Sequence, residues 1–153
     1  MQAPVTPERV SKRKRKNTLT LHHIERLSSA PEVMKFARQI NATFLRQGLT
    51  EMKELDSESE AVYLLDVGED RIVSIICFYR YEGGEYYIPI VWTSEKYRGQ
   101  GCFGRLIAWL SVYVKKKKGK RICTDVHHDN FGMIALMEQH WSKTFVRFNL
   151  GGA

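Results

Sequence analysis

Several stretches of the chain alternate apolar and polar residues, which is the pattern of β-strands that bury one face. Two clusters of turn-forming residues, Gly68-Glu69-Asp70 and Glu82-Gly83-Gly84, separate three of these stretches by only a few positions. Such short connections predict an antiparallel meander. The predicted strands cover 18–27, 61–67, 71–81, 85–93, 121–127 and 145–150.

Three other stretches repeat apolar residues at helical spacing. The first is opened by Pro31, a residue suited to the first turn of a helix, and ended by Gly48. The predicted helices cover 31–48, 102–114 and 130–140. The acidic stretch 51–60 is weakly patterned and indicates only a short helix or a loop. Strands and helices in this order predict a single α/β domain with a mixed sheet.

The N-terminal part of the chain differs from the rest in its high positive charge. The chain has 153 residues and a formal net charge of +7, and much of the excess lies in the runs 12–16 (KRKRK) and 115–121 (KKKKGKR). Residues 1–17 have little to bury, so we expect a basic flexible tail there, followed by one domain over 18–153. The positive charge favours anionic partners, such as an acidic macromolecule, nucleic acid or a phosphate-rich cofactor.

The cysteines indicate a reducing compartment. Cys77, Cys102 and Cys123 lack metal-ligand spacing and cannot all pair with one another. We therefore expect reduced thiols in a cytoplasmic protein, or a nuclear one in a eukaryote. The N-terminus lacks the apolar core of a signal peptide, and the longest apolar run, 72–78, is too short to span a bilayer.

A glycine-rich segment from Trp92 to Leu106, WTSEKYRGQGCFGRL, joins a predicted strand to a predicted helix. The first turn of a helix has unpaired N–H groups and the positive end of the dipole, so it attracts phosphate. The glycines let the backbone approach a pyrophosphate, and Arg98 adds positive charge. A dinucleotide fingerprint is disfavoured because an antiparallel meander precedes the glycines, and the Gly-Lys-Ser/Thr of a P-loop is absent.

The run Lys96-Tyr97-Arg98-Gly99-Gln100-Gly101 resembles motif A of the GNAT acetyltransferases, Q/R-x-x-G-x-G/A, with Lys96 as a departure. The resemblance implies a mostly antiparallel sheet, flanked by helices and splayed after the fourth strand, with acetyl-CoA between strands 85–93 and 121–127. It also implies that a backbone N–H near Trp92 or Thr93 contacts the thioester carbonyl. The cofactor-binding residues so implied are Trp92, Thr93, Arg98, Gly99, Gln100, Gly101, Cys102, Phe103, Gly104 and Asn130.

The resemblance continues downstream with exceptions. The family has an Asn that begins a helix, then a small residue, a Tyr and a closing aromatic. Asn130 and Trp141 match this pattern, whereas Met133 replaces the small residue and Met137 replaces the Tyr. Many members use that Tyr to protonate the leaving thiolate, which Met137 cannot do. Another group must do so here, or the thiolate leaves unaided, as its modest basicity permits.

Three residues are candidates for proton transfer: Glu85, Tyr87 and His127. A base is needed because an alkylamine is almost wholly protonated at pH 7. Glu85 lies fourteen residues before Gly99, the spacing of the glutamate base in the histone-acetyltransferase branch that the chain resembles. The alternative interpretation is that Glu85 is a solvated residue of the hairpin. No metal is expected at 127–129, because adjacent histidines at a strand end point apart.

The sequence therefore predicts an acetyl-CoA-dependent N-acyltransferase that forms a ternary complex and acetylates a primary amine directly. The acceptor is left open among a protein lysine or N-terminus, a small amine, and an amine of a nucleotide or nucleic acid. A longer acyl group is a further option, which the width of the cleft would decide. The alternative is a GNAT-fold module without catalysis that binds nucleic acid or a protein through its basic patches. No membrane partner is expected.

Overall fold

The computed structural model describes residues 18–127, 131–141 and 146–151. Its strands are β1 (Leu19–Ile24), β2 (Glu60–Asp66), β3 (Arg71–Arg80), β4 (Glu85–Thr93), β5 (Arg121–His127) and β6 (Val146–Gly151). Its helices are α1 (Pro31–Arg46), α2 (Cys102–Lys116) and α3 (Phe131–Trp141). The predicted order of elements is confirmed, with small shifts at their ends. The predicted tail, 1–17, lies outside the described residues.

Two parts of the chain before β2 differ from the simple pattern. The first strand ends at Ile24, because Leu27 enters a short 3-10 turn that buries it completely. The acidic stretch 51–60 is a loop until β2 begins, and it is fixed by burial of Leu55 and by several hydrogen bonds. The side-chain amide of Asn41, on α1, donates to the carbonyl of Met52 at 3.0 Å, and the N–H of Leu27 donates to the carbonyl of Ser59 at 2.8 Å.

The strands form one sheet in sequence order. β1, β2, β3 and β4 pair antiparallel, as the short turns predict, whereas β4 with β5 and β5 with β6 are parallel. Each parallel connection contains a helix, because parallel strands need a long crossover. The predicted α/β fold with a mixed, mostly antiparallel sheet is therefore confirmed.

Helices cover both faces of the sheet. On one face α1 buries Val33, Ala37 and Ile40 in a core that also contains Ile75, Cys77 and Ile90. On the other face α2 and α3 bury Leu106, Leu110 and Met137 in a core that also contains Val62, Phe78 and Ile88. Within the described part of the chain, no helix is long and apolar enough to cross a bilayer.

β4 contains a bulge at Ile88 and Pro89. Cys77 pairs with Ile90 and Tyr79 with Tyr87, so β4 has one residue more than β3 over this interval. The extra residue reverses the alternation of side chains, because Ile88 belongs to the core beneath α2 and Ile90 to the core beneath α1. Proline lacks an N–H to donate to a neighbouring strand, which suits a bulge.

The bulge coincides with the separation of β4 from β5. Parallel pairing joins Glu85–Ile88 to Arg121–Thr124 and ends there, although both strands continue. The hydroxyl of Thr124 donates to the carbonyl of Ile88 at 2.8 Å and closes the last pair. β5 also pairs with β6 on its other side from Ile122 to His127, and beyond Thr124 this is its remaining strand pairing in the described residues. The predicted splaying of the sheet after the fourth strand is therefore present, and it opens a cleft.

Candidate active site

Two cavities open where β4 and β5 separate. The large cavity has a volume of about 660 Å³ and is bounded by the glycine-rich loop, by the first turn of α2 and by one face of α3. The small cavity has a volume of about 290 Å³ and is bounded by β4, β5 and the segment that follows α1. Phe44, Leu49, Val91 and Met133 line both cavities. The two cavities therefore meet at the point of separation.

The glycine-rich loop presents the start of α2 to the large cavity. Gly99 has φ +77° and Gly101 has φ +81°, a region that residues with a Cβ rarely adopt. The first intrahelical hydrogen bond runs from the N–H of Arg105 to the carbonyl of Gly101 at 3.0 Å. By helix geometry the N–H groups of Cys102 and Gly104, which precede Arg105, have no acceptor within the helix. The loop therefore has the anion-binding geometry that its sequence predicts.

The large cavity brings together most of the predicted cofactor-binding residues. Its lining includes Trp92, Thr93, Arg98, Gly99, Gly101, Cys102, Phe103 and Gly104. Gln100 is not part of the lining; its side-chain amide donates to the carbonyl of Lys96 at 2.9 Å and braces the loop. Asn130 lies outside the described residues.

Tyr97 anchors the glycine-rich loop in the core. It is 2% exposed, and its hydroxyl donates to Asp66 Oδ2 at 2.5 Å. Asp66 also accepts the N–H of Gly68 at 3.0 Å. The Tyr97 hydroxyl holds the pKa of Asp66 below its usual value, and burial, followed by the Asp66 carboxylate, raises the pKa of Tyr97 to about 12. The loop is thus tied to the β2–β3 turn, a contact that the sequence did not suggest.

Removal of the hydrogen bond between Tyr97 and Asp66 should lower the stability of the protein by an amount that depends on pH. We expect Tyr97→Phe to lower the melting temperature at pH 7 by roughly 3–6 °C. Because the folded pKa of Asp66 is lowered, its contribution is present above the ordinary value of 3.8 and is lost as the pH falls through the folded value. The difference in melting temperature between Tyr97→Phe and the parent protein should therefore shrink as the pH falls through the folded pKa of Asp66. Tyr81→Phe, at a tyrosine that is 54% exposed, is the matched control. An equal effect of both substitutions would contradict the anchor.

The second half of β4 directs two backbone amides into the cleft. The N–H of Ser94 donates to the carbonyl of Val73 at 2.7 Å, which fixes the alternation of the antiparallel ladder with β3. By that alternation the amides of Val91 and Thr93 point away from β3, toward the space that β5 has left. Arg98 Nε donates to the carbonyl of Thr93 at 3.1 Å, which agrees with this direction.

Trp92 has a different orientation. The same alternation directs its backbone amide toward Ile75 of β3. Its ring packs edge-on against Phe36 of α1, with 5.2 Å between the ring centroids. Of the two positions that the resemblance implies for a contact to the thioester carbonyl, Thr93 is therefore the one whose amide faces the cleft.

The small cavity contains a hydrogen-bonded pair on its sheet wall. The hydroxyl of Tyr87 donates to Asp125 Oδ2 at 3.0 Å. Burial, and then the charge of Asp125, raise the pKa of Tyr87 well above its ordinary value, so the phenol is protonated at neutral pH. Tyr87 was predicted as a candidate, whereas Asp125 was not. Asp125 is the first residue of β5 after the last pair with β4, so only the strand register reveals it.

The other two proton-transfer candidates are placed differently. Glu85 lies at the paired end of β4, where its Oε2 forms an ion pair with Arg121 Nε at 2.7 Å. Four residues of extended strand, roughly 13 Å, separate it from Pro89, and it lines neither cavity. His127 ends β5 in the splayed half of the sheet. Residues 128 and 129 complete the stretch 127–129, where no metal site is expected, and they lie outside the described residues.

The face of α3 toward the large cavity is mostly apolar. Gly132, Met133, Leu136 and Gln139 line the cavity. Met137 is 1% exposed and lies in the core beneath α2. The position at which the family carries a Tyr is therefore filled by a core residue that has no proton to donate.

Comparison with known proteins agrees with this geometry. A family model described as the acetyltransferase (GNAT) family matches residues 24–141. None of the curated proteins matches the chain significantly.

Several solved structures share the fold at low sequence identity. An aminoglycoside acetyltransferase from an uncultured soil metagenomic sample, in complex with sisomicin, is 16% identical, with a TM-score of 0.59 over 88% of this chain and 93% of that chain. The ribosomal-protein-alanine N-acetyltransferase of Brucella melitensis is 12% identical, with a TM-score of 0.59 over 80% and 90%. A GNAT-family acetyltransferase of Staphylococcus aureus is 11% identical, with a TM-score of 0.60 over 79% and 83%. By the family match, this chain belongs to the acetyltransferase (GNAT) family and is a GNAT-type acetyltransferase.

Proposed function

We propose that the protein transfers the acetyl group of acetyl-CoA directly to a primary amine in a ternary complex. The observation that carries this proposal is the meeting of the two cavities where β4 and β5 separate. Direct transfer requires both substrates to be bound at once with the reacting atoms in contact. Two cavities that share four lining residues allow this arrangement.

The large cavity suits acetyl-CoA. The start of α2 offers N–H groups to the pyrophosphate, and Arg98 adds a cation at the edge of the same loop. The pantetheine arm is an extended chain with amides, so it can pair with the free edge of β4 as an added strand would. The amides of Val91 and Thr93 are the donors available to it there.

One of these β4 amides also stabilises the reaction. When the amine attacks, negative charge develops on the carbonyl oxygen of the thioester. A backbone donor fixed in place before the reaction stabilises that charge without reorganisation. Val91 lines both cavities and Thr93 lines the large one, which supports the amide of either residue as this donor.

We assign the proton transfer to Asp125, with Tyr87 as its positioning residue. The carboxylate of Asp125 takes one proton from the ammonium group, directly or through water, and that proton passes on to solvent. The neutral amine then attacks, and as the N–C bond forms and the C–S bond breaks, its second proton goes to the departing thiolate of CoA. Tyr87 is protonated at neutral pH because its pKa is raised, so it serves as a donor that orients Asp125. Glu85 is the weaker candidate, because Arg121 already occupies its carboxylate.

The proposed reaction is tested by CoA release from acetyl-CoA with amines of the three acceptor classes. We expect release that depends on the amine, with one acetylated amine formed for each CoA. Acetyl-CoA alone should give no burst equal to the enzyme concentration. Such a burst would indicate an acetyl-enzyme and contradict direct transfer. Bound acetyl-CoA without release, whatever the amine, would instead support the non-catalytic alternative.

The basic run near the end of α2 is a separate candidate site, which would contact an anionic macromolecule. Residues 115–118 are exposed, and α2 carries them roughly 22 Å from the glycine-rich loop. Arg80 braces the end of the helix through a hydrogen bond of 3.3 Å to the carbonyl of Lys117. A contact to an anionic macromolecule at this run would therefore lie away from the two cavities. The positive net charge of the chain therefore does not indicate which charge the acceptor site has.

A further inference from the structure

The small cavity has acidic walls in a basic protein. Its lining contains two carboxylates, Glu51 and Asp125, and three hydroxyls, of Thr50, Tyr87 and Thr124. The remaining lining residues are apolar, and no Lys, Arg or His is among the residues described at this cavity. The chain as a whole carries a net charge of +7. The local charge of the cavity is thus opposite in sign to that of the molecule.

The two carboxylates come from separate and braced parts of the fold. Asp125 lies on β5 and is held by the hydroxyl of Tyr87 at 3.0 Å. Glu51 lies in the segment after α1, where the N–H of Met52 donates to Thr50 Oγ1 at 3.2 Å. The carbonyl of Met52 is in turn held by Asn41 at 3.0 Å. Carboxylates on two walls can face a ligand that carries charge at more than one point.

The size and apolar surface of the small cavity restrict the ligand further. Its volume of about 290 Å³ is at the lower end of the range of ligand sites, roughly 300–1,000 Å³. Phe44, Pro89 and Met133 add apolar surface between the polar groups. A slender chain of methylene groups fits such a space. A phosphate or carboxylate on the acceptor would instead meet Glu51 and Asp125 and be repelled.

We infer that the acceptor is an aliphatic primary amine that carries a second positive charge, selected by Glu51 and Asp125. This inference rests on the proposed function, because it names the acceptor of the same site. One amine loses its proton near Asp125 and attacks, while the second cation stays charged and is held by the remaining carboxylate. A small diamine and a lysine side chain beside another basic residue share this chemistry. A nucleotide amine does not.

Three amines of equal chain length test the charge preference in the full chain. 1,4-Diaminobutane carries a second cation, n-butylamine carries none, and 4-aminobutanoate carries an anion. We expect kcat/KM for the diamine to exceed that for butylamine by about tenfold or more, with aminobutanoate the poorest. A blocked peptide with one lysine beside one arginine distinguishes a peptide source from a free diamine. Equal kcat/KM for the three small amines would overturn the inference.

A matched pair of variants tests the residue that confers the preference. Glu51→Gln removes one charge of the small cavity and should reduce the ratio of kcat/KM for diamine over butylamine about fivefold. Glu54→Gln, three residues further along the same segment, is the control because its side chain is 81% exposed and does not line this cavity. It should leave the ratio unchanged. An unaltered ratio in Glu51→Gln, or equal losses in both variants, would contradict the role of Glu51.

Calorimetry separates this inference from the proposed function. Acetyl-CoA is titrated first, and 1,4-diaminobutane and 4-aminobutanoate are then titrated into the protein with CoA bound. Tighter binding of the diamine supports the inference even without turnover. If acetyl-CoA binds and all the amines react without a charge preference, the inference alone fails. If acetyl-CoA does not bind, the proposed function fails and the inference fails with it.

Discussion

A carboxylate at position 101 should nearly abolish binding of acetyl-CoA. Gly101 is the N-cap residue of α2, and a Cβ placed there would meet no atom within 4 Å, so the Cβ of Gly101→Glu causes no clash. It does bring a negative charge to the N–H groups proposed for the pyrophosphate. We expect the Kd for acetyl-CoA, measured by calorimetry, to rise by at least about 100-fold.

Two controls separate charge from backbone strain. Gly101 has φ +81°, so any side chain there costs about 1–2 kcal/mol of stability. Gly83→Glu imposes a similar strain at φ +72° in the β3–β4 turn, also without a neighbour within 4 Å. It should leave the affinity for acetyl-CoA intact. Gly101→Asn, which is neutral and tolerates this φ, should lose far less affinity than Gly101→Glu. Unchanged affinity in a folded Gly101→Glu protein would remove the glycine-rich loop from the proposal.

Asp125→Asn should lower kcat by about 100-fold or more, which is the usual cost of losing a general base. The substitution preserves shape and a hydrogen-bond acceptor for Tyr87 but removes the charge that takes the proton. The deficit should shrink as the pH rises, because more of the amine is then already neutral. Steady-state kcat and amine KM at saturating acetyl-CoA measure this, and a change confined to KM would indicate binding only.

Glu85→Gln is the matched carboxylate-to-amide change for comparison. Glu85 pairs with Arg121 at the closed end of β4, outside both cavities, so we expect kcat to fall less than about threefold. The reverse pattern, with a large loss of kcat in Glu85→Gln and a small one in Asp125→Asn, would identify Glu85 as the general base, as its spacing in the sequence suggested.

The fold was predictable because its signals are local. Alternation, helical spacing and the turns at 68–70 and 82–84 each act within a few residues, and together they predicted the meander and the three helices. The glycine-rich loop was predictable for a similar reason. Positive φ at Gly99 and Gly101 is a property of single residues, and the start of α2 follows directly after them.

The acceptor side of the site was less predictable because it depends on the register between distant strands. Tyr87 and Asp125 are 38 residues apart, and Tyr97 and Asp66 are 31 apart. No local pattern states which residues become neighbours over such separations. Pro89 was the available signal, since a proline inside a predicted strand indicates a bulge or an edge. The bulge decides which half of β4 pairs with β5, and so leaves Glu85 outside and Asp125 inside the small cavity.

The bulge in β4 also links ligand binding to folding stability. Past Pro89 the sheet has an internal edge, and the amides of Val91 and Thr93 end in the cleft instead of in a neighbouring strand. An open edge is a weak point of any sheet, and here it lies within the molecule. A molecule that pairs with this edge completes the sheet, so it stabilises the native state alone. At a concentration 100 times its Kd, such a ligand raises the unfolding free energy by about 2.7 kcal/mol.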